Sequence, residues 1–242
     1  MDYQIEIQQL KKSFGGNRVL KDINFTLSKG ENVVIMGKSG CGKSVLIKCI
    51  VGLIPADEGV LRVFGKDINR LSAHELDKLR EKIGFVFQNS ALYDSMTVRE
   101  NLVFPMRREL SGKSKEEIDG LVRRALESVG LISAIDMMPA ELSGGMRKRI
   151  GLARAIIMNP EIILYDEPTT GLDPITAKEI SQLMLKMQTH TNASSIIISH
   201  DMACARLTST RMCVMIDGQF YAQGTYAELE KSTDPQIKNF FE

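Results

Sequence analysis

The chain has 242 residues, 43% of them hydrophobic and 25% charged, with a formal net charge of +1. That is the make-up of one globular domain, or of a domain with a subdomain, and it argues against nucleic acid as the main partner, since binding to backbone phosphates draws on a strong positive surplus. No apolar run approaches the ~18–20 residues that cross a bilayer, and Met1-Asp2-Tyr3-Gln4 lacks the basic and apolar regions of a secretory signal, so any membrane association is expected to come through a partner.

Ile5 and Ile7 alternate with polar residues, as do Phe25 and Leu27, which predicts two half-buried strands of an antiparallel start. Val33-Val34-Ile35-Met36 is a continuous apolar run ending in glycine, a buried strand, and Ser44 to Ile50 follows it as a helix. Residues 74–82 read as helix, and Ile83-Gly84-Phe85-Val86-Phe87 as another strand. From Asn89 to Pro160 the β-branched runs vanish and helix signals replace them. Thr97 with Glu100 and Ser114 with Glu117 have capping-box spacing, and Gly130 stops a stripe of Leu121, Val122, Ala125, Leu126 and Val129. The expectation is a single domain, 1–242, whose core is 1–88 and 161–242 and whose residues from about 89 to 160 form a helical subdomain. Strand texture returns at Ile162–Tyr165 and Ile196–Ser199, with a helix starting at Thr176 and Glu179 between them, and this alternation predicts a parallel sheet. Val214 to Phe220 fits a hairpin around Asp217-Gly218, and Thr225 with Glu228 caps a short last helix. Cys41, Cys49, Cys204 and Cys213 have no metal-type spacing and are expected to be reduced.

Chemistry concentrates in a few short segments. Gly37-Lys38-Ser39-Gly40-Cys41-Gly42-Lys43-Ser44, with Val45 behind it, matches G-x-x-x-x-G-K-[ST] between a strand and a helix. Its glycines let backbone N–H groups converge on phosphate oxygens, Lys43 adds a point charge near the β- and γ-phosphates, and Ser44 can place its hydroxyl on Mg²⁺. Asp166 and Glu167 close an apolar strand, at the edge where open α/β sheets bind ligands. There Asp166 would hold Mg²⁺ through water and Glu167 would polarise an attacking water. Ser143-Gly144-Gly145 precedes a helix. Alone it reads as an N-cap turn, and it is also a second anion site at a helix N-terminus. His200 can hydrogen-bond a γ-phosphate and orient Glu167, and Gln88, at the end of a strand, could reach Mg²⁺ or water. Arg147, Lys148, Arg149 and Arg154 make a basic face on the following helix, read either as a solvated face or as a contact with phosphates or a partner subunit.

Together these residues resemble the nucleotide-binding subunits of ABC transporters across essentially the whole chain. Residues 37–44 look like Walker A, Gln88 like the Q-loop, Leu142–Met146 like the signature, Ile162–Glu167 like Walker B, Gly171-Leu172-Asp173 like the D-loop, and His200 like the switch histidine. Phe14 matches the aromatic that stacks on adenine. The resemblance implies an α/β P-loop NTPase fold, with a RecA-like, mostly parallel core, an antiparallel β part and a helical subdomain. It implies ATP and Mg²⁺ as cofactors and a homodimer in which residues 37–45 of one copy and Ser143, Gly144 and Gly145 of the other grip each ATP. Transmembrane permease subunits would be the partners, and the location the cytoplasmic face of a bacterial inner membrane. The string Leu142-Ser143-Gly144-Gly145-Met146-Arg147-Lys148-Arg149, the segment Tyr165 to Thr176 and the tail Asp234-Pro235 resemble the Mla-type subfamily, which implies phospholipid cargo and further lipid-transport subunits. Other ABC transporters, for amino acid import or lipoprotein release, stay open, as do a soluble ABC ATPase acting on DNA or ribosomes and a P-loop kinase.

Overall fold

The computed structural model describes residues 3–107 and 112–241. Met1 and Asp2, and positions 108–111 of the expected helical subdomain, lie outside them. β1 (Tyr3–Phe14) and β2 (Asn17–Ser28) form the expected antiparallel hairpin, longer than the two alternating patches that announce it. β3 (Asn32–Gly37) runs into the phosphate loop and α1 (Lys43–Ile50). Next come β4 (Glu58–Val63) and β5 (Lys66–Asp67), then α2 (Ala73–Arg80) and β6 (Ile83–Val86). β2, β1, β4 and β5, in that order, make one antiparallel sheet.

Between Gln88 and Pro160 the described residues hold helices and no strand: α3 (Val98–Val103), α4 (Lys115–Ser128) and α5 (Gly144–Ile156). Both expected capping boxes form, Thr97 with Glu100 and Ser114 with Glu117, each closing the backbone N–H groups of a helix start. β7 (Ile162–Asp166), α6 (Pro174–Thr191), β8 (Ser194–Ile198), α7 (Met202–Thr208) and β9 (Arg211–Ile216) return the chain to the sheet. β10 (Gln219–Gly224), α8 (Tyr226–Glu230) and α9 (Pro235–Lys238) complete it. α6 begins ahead of the expected Thr176, because Asp173 caps it: one carboxylate oxygen accepts from the N–H groups of Ile175 and Thr176, both at 3.0 Å, and Pro174 takes the first helical position.

The second sheet has the order β10-β9-β3-β8-β7-β6, parallel except for the β10 edge. Its central strands are buried on both faces, which is why they read as continuous apolar runs. Successive side chains divide between two cores. Val34, Met36, Ile163 and Tyr165 face the core shared with α3 to α7. Val33, Ile35, Ile162 and Leu164 face the core shared with α1 and the antiparallel sheet. The four cysteines are free thiols. Burial pushes the Cys49 thiol up to about 11 and Cys213 up to about 12, so both are protonated at neutral pH.

Candidate active site

Four neighbouring parallel strands end at one edge, and each delivers a residue singled out above. β3 leads into residues 37–44, β8 into His200, β7 into Asp166 and Glu167, and β6 into Gln88. Crossover connections of a parallel sheet return every strand in the same direction, so segments far apart in sequence share the carboxyl edge. A cleft of about 1320 Å³ opens there, with residues 37–45, Gln88, Glu167 and His200 in its wall. Two glycines of the loop are dictated sterically. A Cβ at Gly37 would lie 2.6 Å from the Met215 carbonyl oxygen and from Cys41 Sγ, and Gly42 stands at φ +108° against Val19 and Leu20.

Lys43 is buried to 8% exposure and folded back over the loop, its Nζ donating to the carbonyls of Gly37 at 2.6 Å and Lys38 at 3.1 Å. Ser44 Oγ donates to Asp166 Oδ1 at 3.0 Å, linking the start of α1 to the end of β7. Burial pushes the Asp166 carboxyl above its ordinary value, against the opposing pull of the Ser44 hydroxyl. A hydroxyl and a desolvated carboxylate side by side are hard oxygen donors of the kind Mg²⁺ accepts. Among the described residues no cluster of three or more His, Cys, Asp or Glu could hold a metal by itself.

Glu167 adopts φ +51°, an uncommon backbone for a residue with a side chain. Its N–H donates to the Ile198 carbonyl at 3.0 Å, and its carbonyl accepts from Lys148 Nζ at 3.3 Å. Its side chain is also held: Oε2 accepts from Thr170 Oγ1 at 3.0 Å and lies 2.7 Å from His200 Nδ1. The acid expected to polarise water and the histidine expected to orient it therefore meet directly.

Other expected residues lie elsewhere. Ser143, Gly144 and Gly145 are not among the residues lining the cleft. Ser143 caps α5, its Oγ accepting from the Met146 N–H at 3.2 Å. The start of α6 packs against this turn, and a Cβ at Gly145 would come within 3.0 Å of Thr176. Asp173 is thus brought to the 143–145 turn, not to the cleft wall of its own chain. Phe14 ends β1 with its ring half exposed and the Lys12 ammonium 5.2 Å from its centre. The cleft wall takes its cross-strand partner Asn17, with Arg18 and Lys21, instead.

The basic face of α5 is only partly solvated: Arg147 is exposed, Arg149 and Arg154 are partly buried and Lys148 is buried. Arg147 donates to the Leu142 carbonyl, Arg149 to the Val129 carbonyl and to Glu179, and Arg154 to the carbonyls of Ser90 and Ala91. Lys148, 7% exposed, donates to the carbonyls of Gln88 and Glu167. Sequence reasoning also missed Gln236, Asn239 and Phe240, which line the cleft from the C-terminal end. No motif marks them there.

The family model described as ABC transporter matches residues 20–170. The probable ribonucleotide transport ATP-binding protein Mkl of Mycobacterium tuberculosis is 38% identical over 240 residues, 99% of this chain and 67% of that protein. The intermembrane phospholipid transport system ATP-binding protein MlaF of Haemophilus influenzae is 36% identical over 98% of this chain and 89% of its own length. The methionine import ATP-binding protein MetN of Clostridium acetobutylicum is 36% identical over 97% and 72%. Among solved structures, the dimeric ATP-binding cassette MJ0796, in a post-hydrolysis state bound to ADP and Pi, superposes with a TM-score of 0.84 at 33% identity, covering 92% of this chain and 98% of that one. The likeness to these proteins runs nearly end to end and takes in the strand edge where the cleft opens; the chain belongs to the ABC transporter family, as one of its ATP-hydrolysing nucleotide-binding domains.

Proposed function

We propose that the chain is the ATPase subunit of a membrane transporter, that two copies pair head to tail around two ATP molecules, and that the cargo is phospholipid. The observation that carries the catalytic half is the junction of Glu167, Thr170 and His200 at the mouth of a cleft whose floor is the phosphate loop. The Gly37 and Lys38 carbonyls hold Lys43 at the centre of that loop, where β- and γ-phosphate oxygens can take over its donors. Ser44, Asp166 and Gln88 would hold Mg²⁺, which when bound offsets the charge of the β- and γ-phosphates. Glu167 orients and polarises the attacking water, and His200 fixes the Glu167 carboxylate while reaching toward the γ-phosphate. Phe14 is outside the cleft wall, but its cross-strand partner Asn17 lines it, so Phe14 would stack on the base from the rim.

Pairing is supported by what the cleft lacks. Its phosphate loop has no contribution from the 143–145 turn of the same chain, and that turn presents an exposed serine and glycine at the start of a 13-residue helix, whose end favours anions. The turn of a second copy could close the cleft. Asp173 and the 74% exposed Ile175 stand next to it and would meet the partner.

No described helix is long and apolar enough to cross a membrane, which agrees with attachment through permease subunits at the cytoplasmic face of a bacterial inner membrane. Phospholipid as cargo draws on the Leu142–Arg149 string and on the MlaF relative, most of whose length this chain covers. The MetN relative keeps amino acid import as the second reading. Affinity purification from solubilised membranes, with identification of the bound proteins and lipids, separates them. A permease with further lipid-transport subunits and bound phospholipid is the expected result. A permease with an amino acid receptor and no lipid would overturn the cargo assignment. ATPase activity raised by DNA or ribosomes, with no membrane partner, would overturn the transporter reading.

A further inference from the structure

Lys148 is the group that touches both halves of the catalytic edge from outside the cleft. It lies on α5, five residues after Ser143, with its ammonium buried between the carbonyl of Gln88, beyond β6, and the carbonyl of Glu167, beyond β7. Those strands are hydrogen-bonded neighbours, but their pairing ends at Val86 and Tyr165, and past that point the Lys148 ammonium bridges the two chain segments. Two more positions on the same face of α5 fasten the turn that follows Gln88. Gly151 packs on Ser90, where a Cβ would come within 3.3 Å of the serine Cβ. Arg154 donates to Ser90 O at 2.7 Å and Ala91 O at 2.8 Å. The spacing 148, 151, 154 keeps all three on one side of the helix. Ser90 and Ala91 stand at φ +58° and +45°, and Glu167 at +51°. Three residues in a sparsely populated region persist only where their surroundings hold them, and α5 supplies that hold on each.

We propose that Lys148 is a positioning residue for hydrolysis: by bridging the two carbonyls it fixes the backbone of Glu167 against that of Gln88, and it ties both to the helix that starts at the 143–145 turn. The consequence is directional. A shift of that turn, when it engages phosphate across the dimer, moves α5 and with it the frame that aims the Glu167 carboxylate. Lys148 is not among the residues that line the cleft, so its removal is expected to act on turnover and not on binding. The inference rests on the assignment of Glu167 to the water-polarising role.

The test compares Lys148→Met, which keeps the stem and loses the donors, with Lys148→Arg, which keeps donors, in the full-length protein. The expected result for Lys148→Met is a fall in kcat of about 10- to 100-fold with the Kd for ATP changed by less than about threefold. Lys148→Arg should recover most of the loss. Hydrogen exchange without nucleotide should accelerate in Lys148→Met at residues 88–91 and at 167–170 together. An unchanged kcat, an equal loss in both variants accompanied by a matching loss of thermal stability, or exchange that rises in only one segment would overturn the proposal. Glu167→Gln, run alongside, tests the underlying assignment separately: if it turns over as fast as wild type, the role of Glu167 fails, whereas the exchange experiment still decides whether Lys148 couples the two segments.

Discussion

Glu167 and Asp166 are adjacent acids to which we assign different tasks, and their surroundings already separate them. Glu167 is aimed by two neighbours and one left-handed backbone step, whereas Asp166 is desolvated beside Ser44. Replacing Glu167 by Gln keeps the size and the Thr170 contact but removes the base. Hydrolysis should fall about 10²- to 10⁴-fold while ATP affinity is retained, so single-turnover assays should show nucleotide bound and uncleaved; turnover at the wild-type rate would contradict the role. For Asp166 the linkage has a definite sign. An acid whose folded pKa is raised above its ordinary 3.8 binds a proton more tightly in the folded state, so its contribution is fullest below the unfolded value and is lost as pH rises through the folded one. At neutral pH the charge is therefore a cost to the nucleotide-free fold. Asp166→Asn should raise the nucleotide-free Tm by about 2–4 °C, on the order of 1 kcal/mol, while the stabilisation by Mg²⁺ and ATP disappears. A lower Tm than wild type at pH 7 would show that the Ser44 contact outweighs the desolvation.

α5 is the element in which fold and function are hardest to separate. Its N-terminus is the 143–145 turn, its middle holds Gln88 and Glu167, and its last turn lies against β6 so closely that a Cβ at Gly84 would sit 2.4 Å from the Ala155 carbonyl oxygen. That approach, not backbone freedom, requires glycine at position 84. Gly84→Ala should cost about 1–3 kcal/mol and lower Tm by roughly 3–10 °C in a melting experiment; an unchanged Tm would mean that helix and strand can separate without loss. The strands and helices that carry the site were legible because each has a local signal. Apolar runs mark β3 and β7, and capping boxes mark α3 and α4. β4 has no clear signal because Gly59 stands on its inward face and the apolar Val60 on its outward one, leaving only Leu61-Arg62-Val63 in alternation, and α6 starts ahead of Thr176 because its cap is the Asp-Pro pair at 173–174. The site divides the same way. Walker-type segments are contiguous and readable, whereas Lys148 acts on two backbone carbonyls, which leave no trace in the identity of the residues that bear them. Its neighbours in sequence, all basic, made it look like part of a surface.

At the scale of the whole molecule, the phosphate loop and the 143–145 turn are separate surfaces of one chain, and the head-to-tail pairing we propose predicts how damage to each should combine. Lys43→Ala removes the charge at the centre of the loop, so a homodimer of that variant has two clefts without tight nucleotide binding. Ser143→Arg places bulk and positive charge on the turn, so its homodimer has two loops that bind ATP and two faces that cannot close on it. When the two variants are mixed, each mixed dimer has one cleft built from an intact Lys43 and an intact Ser143, and one cleft carrying both lesions. With random exchange about half the dimers are mixed, so roughly a quarter of the wild-type clefts are restored. Steady-state ATPase of the mixture should therefore rise well above the mean of the separate variants, toward that fraction, with the size of any shortfall measuring how far one cleft needs the other. If the loop and turn of one chain instead served the same nucleotide, every chain in the mixture would still carry a broken site, and mixing would restore nothing.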